Sequence, residues 1–433
     1  MADKRRWIII WVLFVANALN YVDRVNISVA GPAIAKAFNL GPAAMGVVFS
    51  CFFYSYVLLI LPMGMLADRY GSRAVSSLGM AVWSVGAMLT GAVDGFGALI
   101  AARLLLGAGE SSSYPTGNRI VREWSLRHER GVATSIFNMG STLGPAIGIV
   151  AASALIASAG WRMSFFVLGG LTLVWTVAWA TIYRSPERAA WLSDTERARI
   201  VAEREPVTAA PVTPMSVKTL LKKKTMWGLL LTHGCQTYSI YLFLTWLPSY
   251  LVNVRGLKMI SAGWLGMLPY VAGSVGAVLV GLASDRMLRG KDLSSGARRK
   301  LMIVLMLLAL CVAAIPFSRS LVALEALLIL SVLFISGANT LNFALTGDMI
   351  FDRRSAGAVY GLLVLGGNFF GFLAPLLTGY IIAATHEYTL SFALAGALLL
   401  VGAGLSMVLV TEPLQPRETR DAAAELERSA AAS

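Results

Sequence analysis

Apolar residues run along this chain in twelve stretches of about 18 to 30 residues, separated by short polar turns. A helix of about 20 apolar residues crosses the hydrocarbon of a bilayer, so each stretch predicts a spanning helix. The spans lie at about 7–30, 45–67, 74–93, 96–117, 131–157, 162–183, 225–252, 261–284, 300–317, 320–346, 355–384 and 388–411. The pattern predicts an all-α membrane protein. Four charges sit deep inside the spans: Asp23 and Arg24 in span 1, Arg103 and Glu110 in span 4. Seven residues at 100° each return to within about 20°, so Arg103 and Glu110 share a helix face, roughly 10 Å apart along the axis. A charge inside the membrane costs several kcal/mol, which makes all four functional candidates.

The polar punctuation repeats. Span 2 ends Gly64-Met-Leu-Ala-Asp68-Arg69-Tyr-Gly71-Ser-Arg73, and span 8 ends Gly281-Leu-Ala-Ser-Asp285-Arg286, an offset of 217. Asn138 and Pro145 in span 5 correspond to Asn368 and Pro375 in span 11, an offset of 230. The difference of 13 is taken up by the 8–9 loop, Met287 to Arg299. Two six-helix halves in the same order form a parallel repeat, an arrangement that places a binding site near the midplane between the halves. The expected organisation is an N-terminal half at 1–183, a linker at 184–224, a C-terminal half at 225–411 and a disordered tail at 412–433. Within the linker, Ser193 and Glu196 have capping-box spacing, and Trp191, Leu192 and Ile200 supply an apolar face. This segment is either a strut or a plain solvated linker. The Pro/Ala/Thr-rich stretch from Glu205 to Ser216 reads as flexible.

Composition agrees with a polytopic protein: 57% hydrophobic and 14% charged residues, against about 25% charged in soluble domains. The net charge of +13 suggests nucleic acid until its distribution is read. With both termini in the cytoplasm, 29 of the 36 Lys and Arg fall on the cytoplasmic side and five opposite. That asymmetry sets the orientation and excludes a nucleic-acid footprint. Lys4-Arg5-Arg6 and Ala16-Asn17-Ala18 mimic a cleavable signal peptide, but cleavage would break the repeat, so span 1 is read as retained. Cys51, Cys235 and Cys311 all lie in apolar runs and suggest no disulfide framework.

The Gly64–Arg73 run and Arg103-Leu-Leu-Leu-Gly107-Ala-Gly109 resemble the signatures of the major facilitator superfamily. Asn20-Tyr21-Val-Asp23-Arg24 and Gly107-Ala-Gly109-Glu110-Ser-Ser-Ser-Tyr114-Pro115 resemble more narrowly its anion:cation symporter family, which holds bacterial sugar-acid and aromatic-acid permeases. The resemblance covers nearly the whole chain. It implies proton-coupled import of an organic carboxylate by a monomer in a bacterial-type inner membrane, with protons as coupling ion and no other cofactor. It further implies that Arg24 grips the substrate carboxylate, that Asp23 and Glu110 carry protons, and that Arg103 partners one of them. Gln236 then meets substrate hydroxyls, and Asp68, Arg69 and Arg73 form a gate on the cytoplasmic side with the other half.

Other candidates rest on residue chemistry. An arginine fork matches a carboxylate at two points and stays charged. Tyr21 lies three residues before Arg24 on the same face, and Tyr56 of span 2 is placed to meet it. Asn138 and Asn368 read as buried amides, structural for Asn138 and substrate-binding for Asn368. Thr346 and Asn342 are further pocket candidates, and His233 reads as a packed or gate residue. Glu325 and Asp348 are expected to be solvated at span ends. No H-E-x-x-H, G-x-S-x-G, P-loop or paired Cys/His set occurs, so an enzyme, an ATP-driven pump or a metal site has no visible machinery. Sugar acids are the expected substrates. Aromatic acids are the alternative, with Phe369, Phe370, Phe372 and Trp246 as an apolar slot, and small dicarboxylic acids are a further one.

Overall fold

A computed structural model describes residues 5–126, 129–202, 215–288, 296–350 and 355–414. Most of the Pro/Ala/Thr-rich stretch and the tail from 415 onward lie outside the described residues. All regular elements among the described residues are helical. In chain order they are α1 (Arg6–Phe38), α2 (Pro42–Ser50), α3 (Phe52–Tyr70), α4 (Ser72–Ala92), α5 (Phe96–Glu110), α6 (Ser113–Trp124), α7 (Arg130–Ala159) and α8 (Trp161–Ile182). There follow α9 (Asp194–Ala202), α10 (Val217–Leu220), α11 (Lys224–Asn253), α12 (Met259–Leu288) and α13 (Ala297–Leu308), which continues as a 3₁₀ stretch, Ala309–Phe317. The last three are α14 (Leu321–Asp348), α15 (Ala356–Thr385) and α16 (Thr389–Leu409).

Among the described residues, ten helical segments are long and apolar enough to cross a membrane, α2–α3 counting as one. The two remaining expected spans are α5–α6, broken at Ser111-Ser112, and α11, 30 residues long but dotted with polar side chains. The α5–α6 break is satisfied locally, because Ser111 Oγ donates to the Ala108 carbonyl at 2.6 Å and Ser112 Oγ to that of Gly109 at 2.9 Å. Span 1 extends further than its pattern predicts: α1 runs through Pro32 and stops only at Asn39, in the left-handed conformation. Proline is tolerated in spanning helices where the freed carbonyl finds other partners.

The chain divides into two compact units, Met1–Ala209 with Leu244–Val271, and Ala210–Phe243 with Ala272–Ser433. In the first, α7 lies along α1 through three glycines at four-residue spacing. A Cβ at Gly140 would sit 2.8 Å from Ala18 N, at Gly144 2.7 Å from Ala18 O, and at Gly148 2.9 Å from Val22 Cα. Lipid supplies no hydrophobic drive between helices, so such close backbone approach is how spanning helices gain packing. The stripe presses α7 onto the turns of α1 that carry Asn17 to Arg24. In the same way α5 meets α4, where a Cβ at Gly109 would sit 2.4 Å from Trp83 N. Gly71 and Gly160, both at φ +84, make the one-residue turns between α3 and α4 and between α7 and α8.

The first part of the expected linker is a strut rather than a solvated tether. Leu192 and Ile200 join a core with Ile9, Leu13, Trp124, Phe137 and Trp179. Trp191 stacks on Trp124, with ring centroids 5.2 Å apart and planes within 7°. Ser193 Oγ accepts from Glu196 N at 3.4 Å, as the capping-box spacing predicts. The Glu196 carboxylate turns elsewhere, however, accepting from buried Arg6 Nη1. Arg6 also grips Glu129, through Nε at 2.9 Å and Nη2 at 2.7 Å.

In the second unit, α13, α14 and α16 surround a core that includes Met306, Leu328, Leu341 and Leu399. Asp348 is not simply solvated, since Arg298 bonds it at 3.1 Å and Asp285 at 2.8 Å. Glu325 is half-buried, and both of its oxygens are covered and have no hydrogen-bond partner among the described residues.

Candidate functional site

The four intramembrane charges come together inside the first unit. Arg24 Nε donates to Glu110 Oε2 at 2.6 Å, with both side chains almost wholly buried. Aromatic faces box the guanidinium: its central carbon lies 4.9 Å from the Tyr21 ring, 4.9 Å from Tyr56 and 5.2 Å from Phe52. Cation–π attraction is strongest where water is excluded, so this box holds the cation in place of hydration. Tyr21 and Tyr114 meet through their hydroxyls at 3.3 Å. Asp23, next in sequence to Arg24 but 100° round the helix, turns to α8 and accepts from Thr172 Oγ1 at 3.0 Å.

The hydrogen-bonded partner of Glu110 is Arg24 rather than Arg103. Arg103 is fully buried and its guanidinium lies 5.3 Å from the Phe52 ring. Its Nε and Nη1 have no hydrogen-bond partner among the described residues. Phe52 therefore serves two guanidiniums, at 5.2 and 5.3 Å. Glu110 Oε1 has no hydrogen-bond partner within normal distance among the described residues, and buried Asn20 lies close enough to act on the same carboxylate. A buried polar group with no partner is costly, and such groups concentrate where a ligand or proton supplies the missing bond.

The expected gate residues are bonded within their own unit. Asp68 Oδ1 accepts from Arg119 Nη1 at 2.5 Å, and Arg119 Nε bonds Glu123 at 2.8 Å. Glu123 also accepts from Tyr183 OH at 2.7 Å and Ser72 Oγ at 3.2 Å. Arg73 caps α8 through the Ala180 carbonyl, from Nε at 3.1 Å and Nη2 at 2.5 Å, while Arg69 lies over the Tyr70 ring at 5.3 Å.

In the second unit, Gln236 and Thr346, both expected to meet substrate, are fully buried. Gln236 Nε2 donates to Met306 Sδ at 3.4 Å and its Oε1 accepts from Asn342 at 3.4 Å. Thr346 Oγ1 donates to the Asn342 carbonyl at 2.8 Å. Asn138 is exposed rather than buried, and Asn368 is half-buried. Trp246 is buried edge-on against Phe49, with ring centroids 5.2 Å apart, and Phe369 is 58% exposed. His233 is buried against Phe343.

Sequence reasoning missed Phe52, Thr172 and Arg119 as partners of the charged residues, and Tyr114 as the partner of Tyr21. Tyr114 stood inside the span 4 signature and carried a visible signal. Phe52 and Thr172 carried none, being an ordinary aromatic and hydroxyl in apolar runs. Among the described residues, no group of three or more His, Cys, Asp or Glu is placed to hold a metal ion.

Comparison with known proteins agrees with this architecture. The family model for the Major Facilitator Superfamily matches residues 13–350. A probable galactarate/D-glucarate transporter of Escherichia coli (strain K12) is 32% identical, over 92% of this chain and 90% of its own. A probable sulfoacetate transporter of Cupriavidus necator is also 32% identical, over 94% of each chain. A D-galactonate transporter of Escherichia coli O6:H1 is 29% identical, over 94% of this chain and 96% of its own. Among solved structures, a bacterial homologue of the human lysosomal transporter Spinster superposes with a TM-score of 0.78 at 18% identity, covering 96% of this chain and 98% of its own. By its family match and its transporter relatives, this chain is a multi-pass transporter, not an enzyme, and it belongs to the major facilitator superfamily.

Proposed function

We propose that this chain imports an organic carboxylate, a sugar acid of the aldonate, hexuronate or aldarate type, together with protons. The observation that carries the reading is the buried Arg24–Glu110 contact at 2.6 Å inside its aromatic box. A guanidinium so placed exchanges one carboxylate for another. Protonation of Glu110 weakens its hold on Arg24, and a substrate carboxylate then takes the two-point contact. Asp23, which accepts from Thr172, is the second proton carrier. The printed names of the relatives, galactarate/D-glucarate and D-galactonate transporters, support the substrate class. Residence in a bacterial-type inner membrane as a monomer, with both termini cytoplasmic, completes the proposal. It follows the 29-to-5 distribution of Lys and Arg.

The test is uptake into proteoliposomes under an imposed pH gradient without nucleotide. Labelled D-glucarate or D-galactonate should accumulate, and unlabelled D-glucarate should compete better than sulfoacetate or an aromatic acid. No accumulation of any carboxylate would overturn the reading, and a preference for sulfoacetate would move the substrate class to small dianions, which the Cupriavidus relative favours.

A further inference from the structure

A groove of about 330 Å³ opens on the surface of the first unit, between the start of α1 and the last turns of α8. Trp7, Ile8, Trp11, Val12 and Val15 line it from α1, and Trp175 lines it from α8. Ile8 and Trp11 are exposed, so the groove is a surface feature rather than part of the core. Lys4-Arg5-Arg6 stands at this end of α1, the end that the distribution of Lys and Arg assigns to the cytoplasm. Tryptophans gather where hydrocarbon gives way to headgroups. Three indoles around one apolar groove therefore place it just inside that boundary.

Arg5 stands at the foot of the groove. Its dihedrals, φ −61 and ψ −25, continue the helical path of α1 by one residue. It therefore shares a face with Ile8 and Val12, three and seven residues on. Arg5 is exposed yet held, since Nη1 donates to the Trp191 carbonyl at 2.8 Å. A guanidinium carries five donors, so holding that carbonyl does not exhaust it, and its fork matches a phosphate. Arg6 differs: it is buried and committed to Glu129 and Glu196. Arg5 is thus the charge that this face presents at its polar end.

We propose that the groove between α1 and α8 seats an acyl chain of one anionic phospholipid, phosphatidylglycerol, whose phosphate pairs with Arg5. An acyl chain suits walls built from valine, isoleucine and indole faces, and the charge of Arg5 selects the headgroup above them. Basic side chains at a cytoplasmic membrane surface attract anionic lipid in this way. A neutral phospholipid would fill the groove but leave Arg5 without a counter-charge from the bilayer. A second copy of the chain fits less well. In a two-fold contact between copies inserted the same way, each Lys4-Arg5-Arg6 run would face the other at one level. The seat also touches the charged cluster indirectly. Trp175 lies one turn beyond Thr172, whose hydroxyl bonds Asp23, so the lipid packs against the stretch of α8 that holds the buried carboxylate.

The test uses the purified full chain in phosphatidylcholine bilayers doped with brominated phosphatidylglycerol or brominated phosphatidylcholine. Bromine quenches the indoles it touches, and the groove holds three of the chain's eleven tryptophans. Brominated phosphatidylglycerol should quench at about a fivefold lower mole fraction than brominated phosphatidylcholine. Arg5→Gln should abolish that preference and Arg5→Lys should retain it. Val12→Phe, which fills the groove and leaves Arg5 in place, should also abolish it. Equal quenching by the two lipids in wild type would overturn the proposal and leave only bulk lipid in the groove. A preference that survives either Val12→Phe or Arg5→Gln would overturn it too, because the anionic lipid would then sit elsewhere. Light scattering that finds a dimer dissociated by Val12→Phe would assign the groove to a second copy instead.

Discussion

Glu110 closes α5 two turns after Arg103, yet its carboxylate bonds Arg24 of α1, 86 residues away in sequence, at 2.6 Å. The arginine on its own helix face is left beside the Phe52 ring, with two of its nitrogens unpartnered among the described residues. The ion pair seen in the cluster therefore joins two helices rather than two turns of one. A change in the charge of Glu110 is felt first at α1, where Arg24 sits in its aromatic box.

Arg24→Lys should weaken binding of the transported carboxylate by about 1.5–3 kcal/mol, roughly ten- to over a hundredfold. Lysine keeps the charge but loses the planar fork and its fit among Tyr21, Phe52 and Tyr56. Calorimetric titration of purified protein checks this, and unchanged affinity in Arg24→Ala would dispose of the assignment.

Arg6 holds Glu129 and Glu196 together, and its side chain and that of Glu196 are both 5% exposed. Arg6→Met should destabilise the first unit by about 3–5 kcal/mol, because two carboxylates lose their shared counter-charge. Arg6→Met combined with Glu129→Gln and Glu196→Gln should recover most of that loss. Thermal melting in detergent reads both, and an unchanged melting point in Arg6→Met would mean that the strut is held by its tryptophans alone.

Gly144→Leu should sharply reduce the yield of folded protein, since a Cβ there already meets Ala18 O at 2.7 Å and Tyr21 Cβ at 2.8 Å. Gly131→Leu, on the same helix with open space around it, is the control and should be tolerated. Size-exclusion profiles after extraction distinguish the two. Equal profiles would show that α1 and α7 can separate at no cost.

The spans, their order and the four buried charges were legible because lipid imposes a long apolar run and isolates every exception to it. Span 1 was underestimated because Gly31-Pro32 reads as a stop in water, whereas here the helix passes through it. The pairing of the charges was not legible. Helical periodicity places Arg103 and Glu110 on one face, but the glycine stripe of α7 and the close approach of α4 to α5 determine which helix supplies the partner. Arg6 illustrates the same limit: one charge in a basic N-terminal run reads as a topology signal, and only the fold of residues 129 and 196 turns it into a buried bridge. Asn138 is exposed rather than buried for the same reason, since one polar residue in an apolar helix carries no mark of the side it faces.

Glu110→Gln should separate binding from coupling. Importing an anion against a negative-inside potential requires at least one cotransported cation, and each charge crossing 100 mV is worth about 2.3 kcal/mol. Glutamine has the size of a protonated glutamic acid, and its carbonyl still accepts the Arg24 Nε hydrogen bond that Glu110 Oε2 now takes. It cannot release or gain a proton, and it no longer competes as an anion for the guanidinium. The variant should therefore bind a sugar acid at least as well as wild type and exchange labelled for unlabelled substrate across proteoliposomes. It should fail to concentrate that substrate when a pH gradient is imposed. Asp23, bonded to Thr172 on the far side of the cluster, remains able to titrate, so some residual proton movement is compatible with the assignment. Accumulation with wild-type proton stoichiometry is not: that result would make Glu110 a fixed counter-charge for Arg24 and move coupling to Asp23 alone.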